Sequence, residues 1–183
     1  MVTGRAILLS IPWQNDCTLH LLNVYAPNDP TENQRFWSQL LEHWTTNHSP
    51  PPKADIMLGD FNLVEDKLDR LPLHADHAGA VAELNALKTC LGLYNGWHTT
   101  YRNKREFSFL QGSTGSQSCI DHIYASYTLL QIASQWNIIC TGLLTDHSMV
   151  STHLVNRTTP FIGSGRWTMP LLLMHDEEIA PYI

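Results

Sequence analysis

The sequence is short of charge, and what charge it has is not positive. Of 183 residues only 15% are charged, and 17 acidic residues against 11 basic ones leave a net charge of −6. A global basic field that would gather nucleic acid is therefore missing. This counts mildly against a nucleic-acid role without excluding one, because a cation-dependent site is itself built from carboxylates and the bound ion reverses the local sign. The four cysteines, Cys17, Cys90, Cys119 and Cys140, are far apart and make no CxxC pair. That spacing argues against a zinc site or a disulfide framework and for buried thiols in a reducing compartment. No apolar run approaches the ~20 residues that cross a bilayer. The apolar stretch Ala6 to Ile11 is short, and Pro12 and Trp13 follow it instead of a small-residue cleavage site, so it does not read as a signal peptide. Internal repeats are absent too. A soluble, intracellular, globular chain of one domain is expected, since 43% hydrophobic content suffices for a real core.

What is present reads as alternating strands and helices. Arg5–Ile11 and Thr18–Tyr25 are β-rich runs around the turn cluster Gln14-Asn15-Asp16, a hairpin pattern. Asp29 followed by Pro30 fits a helix cap and first position, and Phe36, Trp37, Leu40, Leu41 and Trp44 then share one helical face. Three prolines at 50–52 end that helix. Asp55 to Leu58 reads as a buried strand, and Val81, Leu84, Leu87 and Leu91 mark a second helix over Gly79–Leu91. Strands are further expected at Phe107–Leu110, Ile120–Ser126, Trp136–Thr141 and Met149–Leu154. The mixture predicts a layered α/β fold. Residues 156–183, rich in Thr, Gly and Pro before an apolar, acidic end, read as a linker and tail leading out of the domain 1–155.

Three segments put short polar side chains at the ends of apolar strands: Asn23-Val24-Tyr25-Ala26-Pro27-Asn28, Gly59-Asp60-Phe61-Asn62, and the pair Ile120-Asp121-His122 with Thr145-Asp146-His147-Ser148. A strand end presents side chains to one sheet edge in fixed geometry, as preorganised catalysis requires. Carboxylates converging there would repel one another unless a cation lay between them, and hard oxygen ligands suit Mg²⁺ or Mn²⁺. His147 beside them is the natural proton-transfer group, because imidazole titrates near neutrality. Taken singly, each segment is weak. Gly-Asp-x-Asn is as often a plain turn, and a tyrosine before a proline break is more often core.

As an ordered set over roughly residues 4–155, N-V-Y-x-P-N, G-D-x-N, an I-D strand and a D-H-x-x-V end resemble the endonuclease/exonuclease/phosphatase (DNase I-like) superfamily. Within it, I-D-H-I-Y-A-S and T-D-H-S-M-V look most like the endonuclease domain of a non-LTR (LINE-type) retrotransposon. Gly163 to Pro170 resembles the stretch leading toward a reverse transcriptase in fungal elements. The resemblance implies a four-layer α/β sandwich, two sheets flanked by helices, incomplete at the N-terminus. It also implies a divalent-metal-dependent phosphodiesterase that nicks DNA with Mg²⁺ or Mn²⁺. Asp60 and Asn62 would orient or deprotonate the attacking water, and Asp146 and Asp60 would hold the metal. His147, polarised by Asp121, would contact the scissile phosphate. Asn23, Tyr25 and Asn28 would meet the phosphate, and Ser108 the DNA backbone.

The sequence departs from the family pattern in three ways. The segment carrying the family's metal-binding Glu should precede residue 4, Cys119 stands where a basic residue is usual, and Thr145 replaces a serine. A truncated product of uncertain activity is therefore expected. The same fold acting as a phosphatase on a small molecule or lipid, and an inactive remnant, are the alternatives. Arg102 and Arg105, in the densest basic cluster, are candidates for gripping backbone phosphate, held level with a solvated turn. His74 and His77 have helical metal spacing but read as a solvated loop without a third ligand. Action on genomic DNA would place the protein in the nucleus. No membrane partner is expected, and the oligomeric state is left open.

Overall fold

Alternating apolar residues on either side of a turn give the first hairpin. In the computed structural model, which describes residues 2–155 apart from the Asn15 side chain, β1 (Ala6–Pro12) runs antiparallel to β2 (Thr18–Tyr25), with Ala6 opposite Val24. A single 3-10 turn, Gln14–Asp16, joins them. The Asp29 carboxylate then accepts from the backbone N–H groups of Thr31 and Glu32, both at 2.9 Å, and with Pro30 in the first turn starts α1 (Pro30–Thr45). After β3 (Ile56–Asp60) come β4 (Arg70–Leu71), α2 (Ala78–Leu91), β5 (Leu93–Asn95) and α3 (Gly96–Thr100). They are followed by β6 (Phe109–Leu110), β7 (Gln117–Ser118), β8 (Asp121–Ser126), α4 (Tyr127–Leu130), β9 (Ala133–Ile139) and β10 (Met149–Leu154). The linker and tail expected over 156–183 lie outside the described residues.

Five strands form the main sheet in the order β1-β2-β3-β8-β5. Only the β2–β3 pairing is parallel, and α1 makes that crossover. Because side chains alternate across a strand, Leu22, Val24, Met57 and Tyr124 share one face. That face is covered by Phe36, Trp37 and Leu40 of α1 and by Leu84 and Leu87 of α2. Each such large side chain, fully buried, stabilises the fold by about 1.5–3 kcal/mol, so this two-helix layer is the principal source of stability. Leu19, Ile56 and Ala125 occupy the opposite face under Leu129, with Ile11, Leu58, Ile123 and Leu154 partly buried against them. Leu154 belongs to the second sheet, β9 with β10. The small helix α3 touches both sheets, and a Cβ on its Gly96 would lie 2.0 Å from the Trp136 ring of β9. Only glycine permits that approach. A third, three-stranded sheet, β4-β7-β6, caps the end of the main sheet near the site.

The layered α/β expectation matches, and the differences from it are local. The strand expected at Phe107–Leu110 pairs over Phe109 and Leu110 alone, because Ser108 is turned wholly inward. The one expected at Trp136–Thr141 begins earlier, at Ala133, where it finds Leu154 opposite. Helix α3 has no apolar period to announce it. Its signal is the Asn95 cap, whose side chain accepts from His98 N–H at 3.1 Å. Among the described residues all four cysteines are free, and no helix is long and apolar enough to cross a membrane. His74 is exposed and His77 occupies the N-cap position of α2 without a side-chain cap bond, and among the described residues neither joins a ligand cluster.

Candidate active site

Strand register builds the site. Tyr25 of β2 stands beside Asp60 of β3, and Asp60 stands opposite Asp121 of β8. Directly paired residues project to the same face, so three polar side chains are set in a row across three adjacent strands. The row depends on Gly59, whose φ is +134° and whose Cβ, if it had one, would lie 1.9 Å from the Val24 carbonyl oxygen. Any other residue would drive β3 off β2 just where Asp60 must be held.

Asn62 curls back from this strand end with a left-handed backbone, φ 49°. Its backbone N–H donates to Asp60 Oδ1 at 2.9 Å, and its amide donates to the Ala26 carbonyl at 2.9 Å and to Asp60 Oδ2 at 3.2 Å. The two loops are tied from below by Asn33 of α1. It is buried and donates to the Pro27 and Phe61 carbonyls at 2.8 and 2.9 Å while accepting from the Trp37 indole at 2.6 Å. Burial raises the Asp60 carboxyl above its ordinary value, and nearby Asp121 adds to this. The Asn62 backbone bond and His147 oppose the rise.

His147 reaches the row from the third expected segment. The segment is sewn to β6 through its backbone: Leu110 N–H donates to the Asp146 carbonyl at 2.9 Å and Ser148 N–H to the Ser108 carbonyl at 2.6 Å. The ring packs on Phe109, with centroids 4.9 Å apart, and Nδ1 lies 2.9 Å from Asp121 Oδ2. Asp60, Asp121 and His147 each offer a ligand atom, all within 4.8 Å of one another. Two carboxylates and an imidazole this close are a donor set that fits a divalent cation. The oxygens suit a hard ion and the positions left over suit water or phosphate.

Around them lies a cavity of about 410 Å³ lined by Tyr25, Asn28, Asp60, Asn62, Asp146 and His147. Six candidates named from sequence therefore meet in one hollow, and Asp121 joins through His147. Asp146, expected as a ligand, lies on the cavity wall outside the three-residue group. Asn23 is exposed on the Tyr25 side of the sheet, two residues before it, and is not among the lining residues. Ser108 does not face the hollow. It is 0% exposed, and its Oγ accepts from the backbone N–H groups of Ile120 and Asp121 at 3.1 and 3.0 Å, fixing the strand that carries Asp121. Arg102 and Arg105 line a different hollow, with Asp69 and His98.

No motif marks Arg70, Gln111 and Ser118, which with Phe109 and Ile120 complete the wall. Arg70 is the notable one: its Nε and Nη2 donate to Asp76 Oδ1 and Oδ2 at 2.9 and 2.7 Å, an aligned fork that leaves the guanidinium beside the cavity. No periodic signal marks it. The arginine and its aspartate six residues on could have been noticed only as a charge pair in a loop.

No protein-family model matches the chain. In sequence it is 32% identical over 184 residues to an uncharacterized 149 kDa protein of transposon TX1 from Xenopus laevis, an alignment that takes in 98% of this chain. The chain spans 14% of that protein's length. Among solved structures the chain is similar to a 3′ phosphatase from Neisseria bound to a product DNA hairpin, with TM-score 0.66 and 15% identity, covering 82% of this chain and 65% of that one. The endonuclease domain of TRAS1, a telomere-specific non-LTR retrotransposon, matches at TM-score 0.60 and 19% identity, with 85% and 65% covered. An AP endonuclease from Archaeoglobus fulgidus matches at 0.62 and 16%, with 80% and 64% covered.

Proposed function

We propose that this chain, whose fold is DNase I-like, is a divalent-metal-dependent phosphodiesterase that nicks DNA in the service of a retrotransposon, acting on genomic DNA in the nucleus. The observation that carries the reading is the meeting of Asp60, Asp121 and His147 within 4.8 Å, with Asp60 and His147 on the wall of a cavity also lined by Tyr25, Asn28 and Asn62. The sequence relative, a transposon protein, and the TRAS1 domain favour the retrotransposon setting.

Asp60, steadied by both the backbone and the amide of Asn62, is the group that aligns the attacking water and receives its proton. With Nδ1 of His147 engaged by Asp121, Nε2 is the nitrogen left to donate to a phosphate oxygen. Tyr25, Asn28 and Arg70 donate to the other oxygens and hold the phosphodiester in line. Mg²⁺ or Mn²⁺ bound at Asp60 and Asp121, with Asp146 in support, would supply neutralisation of the charge that builds on the phosphoryl group. Ser108 serves as a positioning residue for Asp121, and Arg102 and Arg105 extend the footprint along the backbone, away from the cavity.

Nicking of supercoiled plasmid by the full chain, with Mg²⁺, with Mn²⁺ and with EDTA, tests the reading. His147→Ala is expected to lower single-turnover cleavage by at least ~10²-fold while DNA affinity stays nearly unchanged, the usual signature of a group acting on the transition state. Asp121→Asn should give a smaller loss in the same direction. Equal loss of binding and cleavage in His147→Ala would make the histidine structural. Nicking that survives EDTA would remove the metal from the scheme.

A further inference from the structure

The turn that delivers Asp146 and His147 carries two leucines that no described residue covers. Leu143 is 77% exposed and Leu144 wholly so, although leucine is among the side chains most often buried. They sit on a fixed turn. Gly142 takes φ 49°, Thr145 N–H donates to the Leu143 carbonyl at 2.9 Å, and His147 N–H donates to Thr145 Oγ1 at 3.2 Å. The exposed apolar surface also extends beyond them. Leu110, whose N–H is bonded to the Asp146 carbonyl, is half exposed, as are Ile139 and Met149, paired at the mouth of the turn. An apolar ridge thus borders the candidate active site on its β9–β10 side.

Charge decides what can lie on this ridge. From Trp136 to Val155 there is no lysine or arginine, and Asp146 is the single acidic residue. Such a surface offers a phosphate backbone no lysine or arginine to neutralise it, and Leu143 and Leu144 offer it no side-chain donor. Leu144 stands two residues before Asp146 and three before His147, so a duplex seated there brings base edges and sugars, not further phosphates, against the leucines. Apolar side chains at such a position are suited to enter a base step, offsetting the unstacking by the surface they bury. We infer that Leu143 and Leu144 form an apolar wedge that opens a base step of the DNA beside the scissile phosphate. The inference rests on the DNA-nicking reading above.

A wedge must unstack its step, so DNA that is already unstacked should bind better. Fluorescence anisotropy of the full chain in Mg²⁺, in a His147→Ala background so that the DNA stays intact, would compare a short matched duplex with the same duplex carrying one central mismatch. The mismatched duplex is expected to bind about tenfold more tightly, and this ratio should fall to about one in Leu143→Ser/Leu144→Ser while Leu143→Met/Leu144→Met retains it. A ratio near one with the leucines present, or an undiminished ratio in the serine pair, overturns the wedge. If His147-intact protein nicks plasmid yet shows no mismatch preference, the wedge alone falls. If the chain binds neither duplex, the DNA reading falls with it. Sedimentation of the leucine and serine forms supplies the remaining arm: self-association that the serines abolish would assign the ridge to a contact between copies and overturn the wedge.

Discussion

Arg70 and Asn62 illustrate how single residues are held at this site. Asn62 keeps a left-handed backbone that is worth roughly 1–3 kcal/mol of strain in a non-glycine residue, and three hydrogen bonds to Asp60 and Ala26 over-determine it. Arg70 is fixed by the two-pronged contact with Asp76, which in turn accepts from the Val64 N–H at 2.7 Å. A guanidinium held this way meets a phosphate with little further loss of side-chain freedom. Arg70→Ala is expected to weaken DNA binding by about tenfold to a hundredfold, the range of one charge-assisted hydrogen bond. It should also reduce the slope of log affinity against log salt by about one phosphate contact. Anisotropy titrations at several salt concentrations measure both, and an unchanged slope would remove Arg70 from the DNA contacts.

At the scale of elements, α1 does more than cover the sheet. Its Asn33 spends both amide protons and its carbonyl on Pro27, Phe61 and Trp37. Asn33→Leu would strand two carbonyls and an indole N–H in the interior at about 1–3 kcal/mol for each group that finds no other partner. A stability loss of about 2–4 kcal/mol in urea melts is expected. A loss below ~0.5 kcal/mol, the range of ordinary surface substitutions, would mean the tie is incidental. The start of α1 was legible from Asp29-Pro30, its buried face from Phe36, Trp37 and Leu40, and β2 and β10 from their apolar runs, because capping and periodicity are local signals. The Asn33 tie was not, since its partners are backbone groups 6 and 28 residues away, one of them across a crossover. The two-residue strands β4, β6 and β7 are too short to show any period, yet they position Arg70, Phe109 and Ser118 on the cavity wall.

Across the whole molecule, buried charge sets how stability responds to pH. Asp69 is 7% exposed, and burial, aided by Asp66 and Glu65, pushes its carboxyl up from 3.8 to about 7. Between about pH 4 and 7 the folded chain therefore holds a proton that the unfolded chain gives up. The contribution of this group to stability is full below that window, declines as pH rises through it and is gone above it. Asp69→Asn should accordingly raise the melting temperature, relative to the parent, more at pH 8 than at pH 5. An equal difference at both would show that the carboxyl is not protonated in the fold. The polar residues at strand ends were readable because each short motif carries its own spacing. Their convergence on one edge could be anticipated from their places at strand ends and from the family resemblance, but which residues face one another could not, since register across β2, β3 and β8 is a property of the sheet.

The order in which the site's parts occur along the chain has a consequence for synthesis. Tyr25, Asp60 and Asp121 join one sheet, whereas His147 comes from a later segment, tied by backbone bonds from Asp146 and Ser148 to Leu110 and Ser108 and by its own ring to Asp121 and Phe109. A nascent polypeptide that has emerged as far as β8 owns Asp60 and Asp121 and lacks Asp146 and His147. Among the parts of the site, the turn that carries Asp146 and His147 is thus the last to be synthesised, and it is the one that completes the group of ligand atoms.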